Sequence, residues 1–216
     1  PFFLENAGTF AAGTPQAVDL FFTRRIGIDS LGNPVKIQGG GRLTGHVGGT
    51  TIGLMQLFTG NDPGIQAAQS FTVARAIKEI GRRSRIGVIG VQRMATETRV
   101  APAGRSLSDD YNRTFGADGR LGLGDAWTVD WWGAKTETPG RVGDDFAGSV
   151  RATYQTHDWN SSARVLRVGI DFNPEVGFVS RTPGYTFTEL QIMRYVRRDR
   201  WKHVREWNPH ITYREY

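Results

Sequence analysis

Tyr111-Asn-Arg-Thr-Phe-Gly-Ala-Asp-Gly-Arg120-Leu-Gly-Leu-Gly-Asp-Ala-Trp-Thr-Val-Asp130-Trp-Trp-Gly-Ala-Lys-Thr136 is the stretch on which the fold turns. Its odd positions, among them Tyr111, Phe115, Ala117, Leu121, Leu123, Trp127, Val129 and Trp131, are mostly apolar. Its even positions Asn112, Thr114, Asp118, Arg120, Thr128 and Asp130 are polar. A period of two sends successive side chains to opposite faces of a strand, and Gly122, Gly124 and Asp125 interrupt it where a tight turn would sit. The segment therefore predicts two long antiparallel strands with one apolar face.

The same rhythm extends in both directions. Phe146, Val150, Ala152 and Tyr154 alternate with Arg151, Thr153, Gln155 and His157, and a turn at Asp158 leads into Trp159 to Val168. Leu43 and Val47 alternate with Arg42, Thr44 and His46, and Gly48-Gly49 turns the chain into a return strand, Thr51 to Thr59, whose own alternation is poor. Asn61 to Gly64, Pro139-Gly140, Gly143 and Pro183-Gly184 mark further breaks. Between Gln66 and Arg83, Ala67, Phe71, Ala74 and Ile77 also fit helical spacing, but Phe71-Thr-Val and Arg85-Ile-Gly-Val-Ile-Gly-Val are rich in β-formers and favour strand. Thr186 to Val196 and Trp201 to Tyr213 complete the set, with Pro209 bounding the last strand.

Composition narrows what such a sheet can be. The chain has 216 residues, 28 glycines and no cysteine, so disulfides, thiolate metal sites and a cysteine nucleophile are excluded. The net charge is +6, yet the arginines are scattered among the strands and only Arg24-Arg25, Arg82-Arg83 and Arg197-Arg198 are adjacent, which argues against a nucleic-acid surface. Pro1 reads as a processed or excised start. No apolar run approaches the roughly 18 residues of a membrane helix, so any membrane span must be β.

About eight to ten strands are expected, several near the 9–11 residues that a tilted strand needs to cross a bilayer. Lipid cannot satisfy backbone amides, so a spanning sheet must close on itself. The fold class predicted is all-β, an antiparallel up-and-down transmembrane β-barrel in a single domain, residues 1–216. Apolar side chains would face lipid, and Tyr111, Trp127, Trp131, Trp132, Tyr154 and Trp159 would form the interfacial aromatic girdle. Arg113, Arg120, Arg151, Asp118, Asp130 and Gln155, assigned to the polar parity, would line a lumen as pore groups or as lumen packing, and packing is the favoured reading.

Several segments in order resemble a known family: Pro1-Phe-Phe-Leu-Glu-Asn6, Phe21 to Gly27, Gly41-Arg-Leu-Thr-Gly45 with Ile52-Gly-Leu54, Phe71 to Arg75, Tyr111 to Gly116 and Asp171 to Phe178. The chain resembles the outer-membrane β-barrel domain of unknown function found after a carbohydrate-binding family 9-like module in Gram-negative bacterial proteins. The resemblance implies an outer-membrane location, lipid as the immediate partner, and glycan contact through an upstream module this chain lacks. It also implies a longer barrel, of which this chain is the first part.

Catalytic constellations are weak. Asp109-Asp110 and Asp144-Asp145 are paired carboxylates, but they sit at turns, and Glu5, Asp171 and Glu175 belong to the family-like motifs. His46, His157, His203 and His210 lack metal-ligand spacing, and His157-Asp158 has no suitable serine nearby. Gly119 to Gly124 imitates a phosphate loop with no helix behind it. Ser106 to Asp110, Asn61 to Gly64 and Asp118 to Asp125 offer oxygens without a calcium-loop pattern. No catalytic residue, metal, cofactor or nucleic-acid partner is expected. The leading expectation is an anchor or passage for a protein that handles glycans or related polymers. The alternative is a soluble periplasmic carbohydrate-binding or hydrolase domain whose Trp131 and Trp132 stack on sugars.

Overall fold

A computed structural model describes residues 7–29, 31–61, 66–97, 110–197 and 205–216. It is all-β, and the described residues contain no α-helix, only 3-10 turns at Ala7–Phe10 and Thr23–Arg25. The strands are β1 (Gly13–Thr14), β2 (Val18–Asp19), β3 (Ile37–Val47), β4 (Thr50–Thr59), β5 (Gln69–Ile80), β6 (Ser84–Ala95), β7 (Tyr111–Leu123), β8 (Trp127–Glu137), β9 (Phe146–Gln155), β10 (Trp159–Val168), β11 (Phe178–Val179), β12 (Tyr185–Arg194) and β13 (His210–Glu215).

Ten of these form one antiparallel sheet in which each strand lies beside its sequence neighbour, from β3 to β10 and then β12 and β13. β1, β2 and β11 form a small second sheet. No pairing joins β3 to β13 among the described residues, so the large sheet is an open meander here and not a closed barrel. The segment with mixed helical and strand spacing is the twelve-residue strand β5. β4, whose sequence alternates poorly, alternates cleanly in burial, because Gly53 and Met55 face inward beneath Phe10 and Phe21 while Ile52 and Leu54 stay exposed.

Short turns join four of the hairpins at one end of the sheet, where the β12–β13 connection, residues 195–209, is longer. Gly48 and Gly49, with φ of 53° and 73°, make the left-handed two-residue turn whose twist matches a hairpin. Gly124 opens the turn between β7 and β8 in the same left-handed region, at φ 58°. The opposite end carries longer connections, and there the inner face is covered by residues 7–26 and 169–179. Phe10, Val18, Leu20, Phe21 and Ile26 from the first segment, with Phe172 and Val176 from the second, pack on Met55, Leu57, Phe71, Val73, Ile89, Val91, Trp132, Leu166 and Phe187. Each large apolar side chain withdrawn from water here stabilises the fold by about 1.5–3 kcal/mol. Directional bonds fix the covering: Trp132 Nε1 donates to Thr14 Oγ1 at 2.8 Å, and Phe22 N donates to Val176 O at 2.8 Å. Gly13 sits at φ +114° with no space for a Cβ against Val18 O, so β1 requires glycine there.

Candidate functional site

The two faces of the large sheet differ in chemistry: the inner face carries the buried core and a row of charges, the outer face exposed apolar side chains. Outward positions carry Leu43, Ile52, Leu54, Ile86, Val88, Phe115, Leu121, Val150, Val165, Leu190, Ile192 and Ile211, all exposed. Between them lie Ala74, Ala76, Ala117, Val129, Trp131, Ala152 and Ala163 in the same parity. Outward charges sit only toward the strand ends: Lys78 and Arg194 at one end, Arg113, Lys135, Glu137 and Arg167 at the other, and Glu215 at the last position of β13. The middle of the outer face is a charge-free belt running from β3 to β13.

The predicted girdle residues divide. Trp127 and Tyr154 face outward at the short-turn end and pack at 4.9 Å between ring centroids. Trp159 faces outward at the same end under the Arg194 guanidinium, and Tyr111 does so at the other end under Arg113. Trp131 points outward in mid-strand over Gly119, where an added Cβ would meet its ring at 2.6 Å. Trp132 corrects the expectation: alternation puts it on the inner face, 7% exposed and bonded to Thr14, so it is neither a girdle residue nor free to stack on a sugar.

Among the lumen candidates, Arg120, Arg151, Asp118, Asp130 and Gln155 share the inner face. Arg113 does not; it lies outward with Tyr111 and pairs with Glu137 at 3.8 Å. Register brings together a row that sequence reading did not assemble. Glu79 of β5 is opposite Arg85 of β6, Arg85 opposite Arg120, Arg120 opposite Asp130, Asp130 opposite Arg151, Arg151 opposite Arg164, Arg164 opposite Glu189, and Glu189 opposite Arg214. This charged ladder crosses the inner face beside the apolar core. Its signal was in the sequence: Arg120 and Asp130 lie symmetrically about the Asp125 turn, as cross-strand partners in a hairpin must.

The acids are committed. Asp130 accepts from Arg120 Nε at 2.6 Å, and Glu189, 8% exposed, accepts from Arg214 Nε at 2.7 Å with Arg164 at 3.7 Å. Deeper in, buried Arg75 is bound to Asp118 at 2.5 Å. A cleft of about 530 Å³ opens between the ladder and residues 11–15, lined by Thr14, Asp19, Arg85, Asp118, Arg120, Asp130, Ser149, Arg151 and Arg164 among others. Burial raises the Asp19 carboxyl above its ordinary value.

The candidate carboxylate pairs have structural partners. Asp144 pairs with Arg167 at 2.9 Å and Asp145 with Lys135 at 3.7 Å. Asp171 accepts from the Asp144 amide, and Arg93 bridges Asp110 at 2.8 Å and Glu175 at 2.6 Å. Glu5, Asp109 and His203 lie outside the described residues, as do most of the Ser106–Asp110 and Asn61–Gly64 segments. His46 bonds Thr51, His157 lies beside Asp158 and Arg197, and His210 beside Asn208. Among the described residues no group of three histidine or acidic side chains could hold a metal ion. Compared with protein-family models, curated proteins and solved structures, the chain matches none.

Proposed function

We propose that this chain forms part of the wall of an outer-membrane β-barrel, serving as anchor or passage for a protein that handles extracellular glycans or related polymers. The charge-free outward belt carries this reading. A water-soluble sheet seldom leaves so broad an apolar surface bare, since monomers rarely expose contiguous patches beyond a few hundred Å². In lipid that surface is already in its preferred solvent. From Phe146 to Tyr154 the belt runs about 27 Å along β9 at roughly 3.4 Å per residue, or about 20 Å along the membrane normal at a tilt of about 40°. That approaches the roughly 25 Å apolar band of such barrels. Trp127, Tyr154 and Trp159 at one margin and Tyr111 at the other stand where amphipathic rings meet headgroups.

The charged ladder on the inner face supports the passage half of the reading, while residues 7–26 fill one end and favour anchoring. The free edges of β3 and β13 must be paired in lipid, by further strands or by another copy. The order of family-like motifs supports the same location, with glycan contact assigned to an upstream module.

The test is extraction and gel mobility of the longest native form, expressed with its export signal. The expected result is a need for detergent and a mobility difference between unheated and heated denaturing gels. Release into the soluble fraction with no mobility difference would overturn the reading.

A further inference from the structure

We infer that Arg151 and Arg164 form a binding site for an oxyanion group, a carboxylate or a phosphate, in the cleft on the inner face. The two arginines are direct cross-strand partners, and like charges so placed destabilise a sheet. Elsewhere in the ladder a carboxylate relieves such repulsion. Arg120 has Asp130 and Arg214 has Glu189 Oε2, while Arg164 stacks over the Phe187 ring and stands 3.7 Å from Glu189 Oε1, beyond hydrogen-bond distance. Among the described residues Arg151 has no carboxylate within ion-pair distance; its Nη2 donates to Ser162 Oγ at 3.2 Å. The Nε atoms of both Arg151 and Arg164 are buried with no acceptor. Guanidinium groups not hydrogen-bonded to a carboxylate are the ones that carboxylate and phosphate oxygens satisfy by charge-assisted bonds.

The facing wall suits the same occupant. Thr14 Oγ1 accepts from Trp132, so its own O–H is free to donate, and it lines the cleft with Arg151 and Arg164. Of the acids there, Asp118 is bound by Arg75 and Asp130 by Arg120, and Asp19 has no ion pair among the described residues. The cleft's arginines Arg85, Arg151 and Arg164, none hydrogen-bonded to a carboxylate among the described residues, favour a small anion or the anionic group of a larger molecule. This inference rests on the inner face alone, so failure of the heat-shift test would leave it standing.

The experiment titrates the full chain, in detergent where extraction requires it, with inorganic phosphate and separately with glucuronate at low salt, following heat by calorimetry. At least one anion should bind, about tenfold more weakly in Arg151→Gln and in Arg164→Gln, as expected for loss of a charge-assisted bond. Arg167→Gln, on the outer face, should bind as the parent does. Binding of phosphate alone identifies a phosphate group, and binding of glucuronate alone a carboxylate. Without ligand, Arg151→Gln should be as stable as the parent or more so, because a repulsion is removed. Absence of binding by both anions, or equal binding by Arg151→Gln and the parent, would overturn the site, as would a loss of ligand-free stability in that variant.

Discussion

The outer and inner faces of the large sheet are drawn from the same strands, yet they are organised by different rules. In the outward belt the aliphatic residues depend on no particular neighbour: Leu121, Val150 and Leu190 are exposed and interchangeable in kind. Inward residues depend on identity. Arg75 requires Asp118, Trp132 requires Thr14, and Glu189 requires Arg214. One face specifies an environment, and the other specifies contacts.

The sharpest way to break the inner face is Arg75→Met. It strands Asp118, which is 17% exposed, and should cost about 3 kcal/mol, the lower end of the range for halving a buried ion pair. Chemical denaturation would measure it, and the double change Arg75→Met with Asp118→Leu should recover most of the loss. A loss confined to the outer face is expected from Val150→Arg, at the middle outward position of β9, costing about 2–4 kcal/mol near a bilayer midplane. Unfolding from lipid vesicles followed by tryptophan fluorescence would show this. Thr153→Arg, on the inward parity of the same strand, should cost much less, and equal costs would sink the assignment of faces.

The smallest effect comes from Asp19. Its folded carboxyl is raised by burial, so the charged form penalises the folded state. That penalty is absent below the unfolded pKa near 3.8 and grows as pH rises through the raised folded value. Asp19→Asn should therefore raise the melting temperature modestly at pH 7 and leave it unchanged below about pH 3. A melting curve that is the same for both proteins at every pH would show the carboxyl to be solvated.

The hairpins were legible because period-two alternation survives wherever one face must be apolar, as from Tyr111 to Thr136. Trp131 and Trp132 show where residue type misleads: adjacent residues in a strand face opposite ways, so two tryptophans in succession cannot share a girdle. Arg113 fails similarly, since its odd number sets it with Tyr111 and apart from Arg120. The covering segment, residues 7–26, left little trace, because short pieces such as Gly13–Thr14 and Val18–Asp19 have no period to detect. The ladder was hidden for a further reason. Its members are scattered from Glu79 to Arg214, and they align only after the register of every hairpin is fixed.

The strictly sequential strand order of the large sheet has a consequence for assembly. Every main pairing joins segments adjacent along the chain, so loop closure costs little entropy and hairpins can add one after another. The bond from Trp132 to Thr14 spans 118 residues and cannot form until β8 is in place. Seating of the first segment is thus a late event in folding. Whole hairpins could also be gained or lost beyond β13 by duplication or deletion, with no existing pair disturbed.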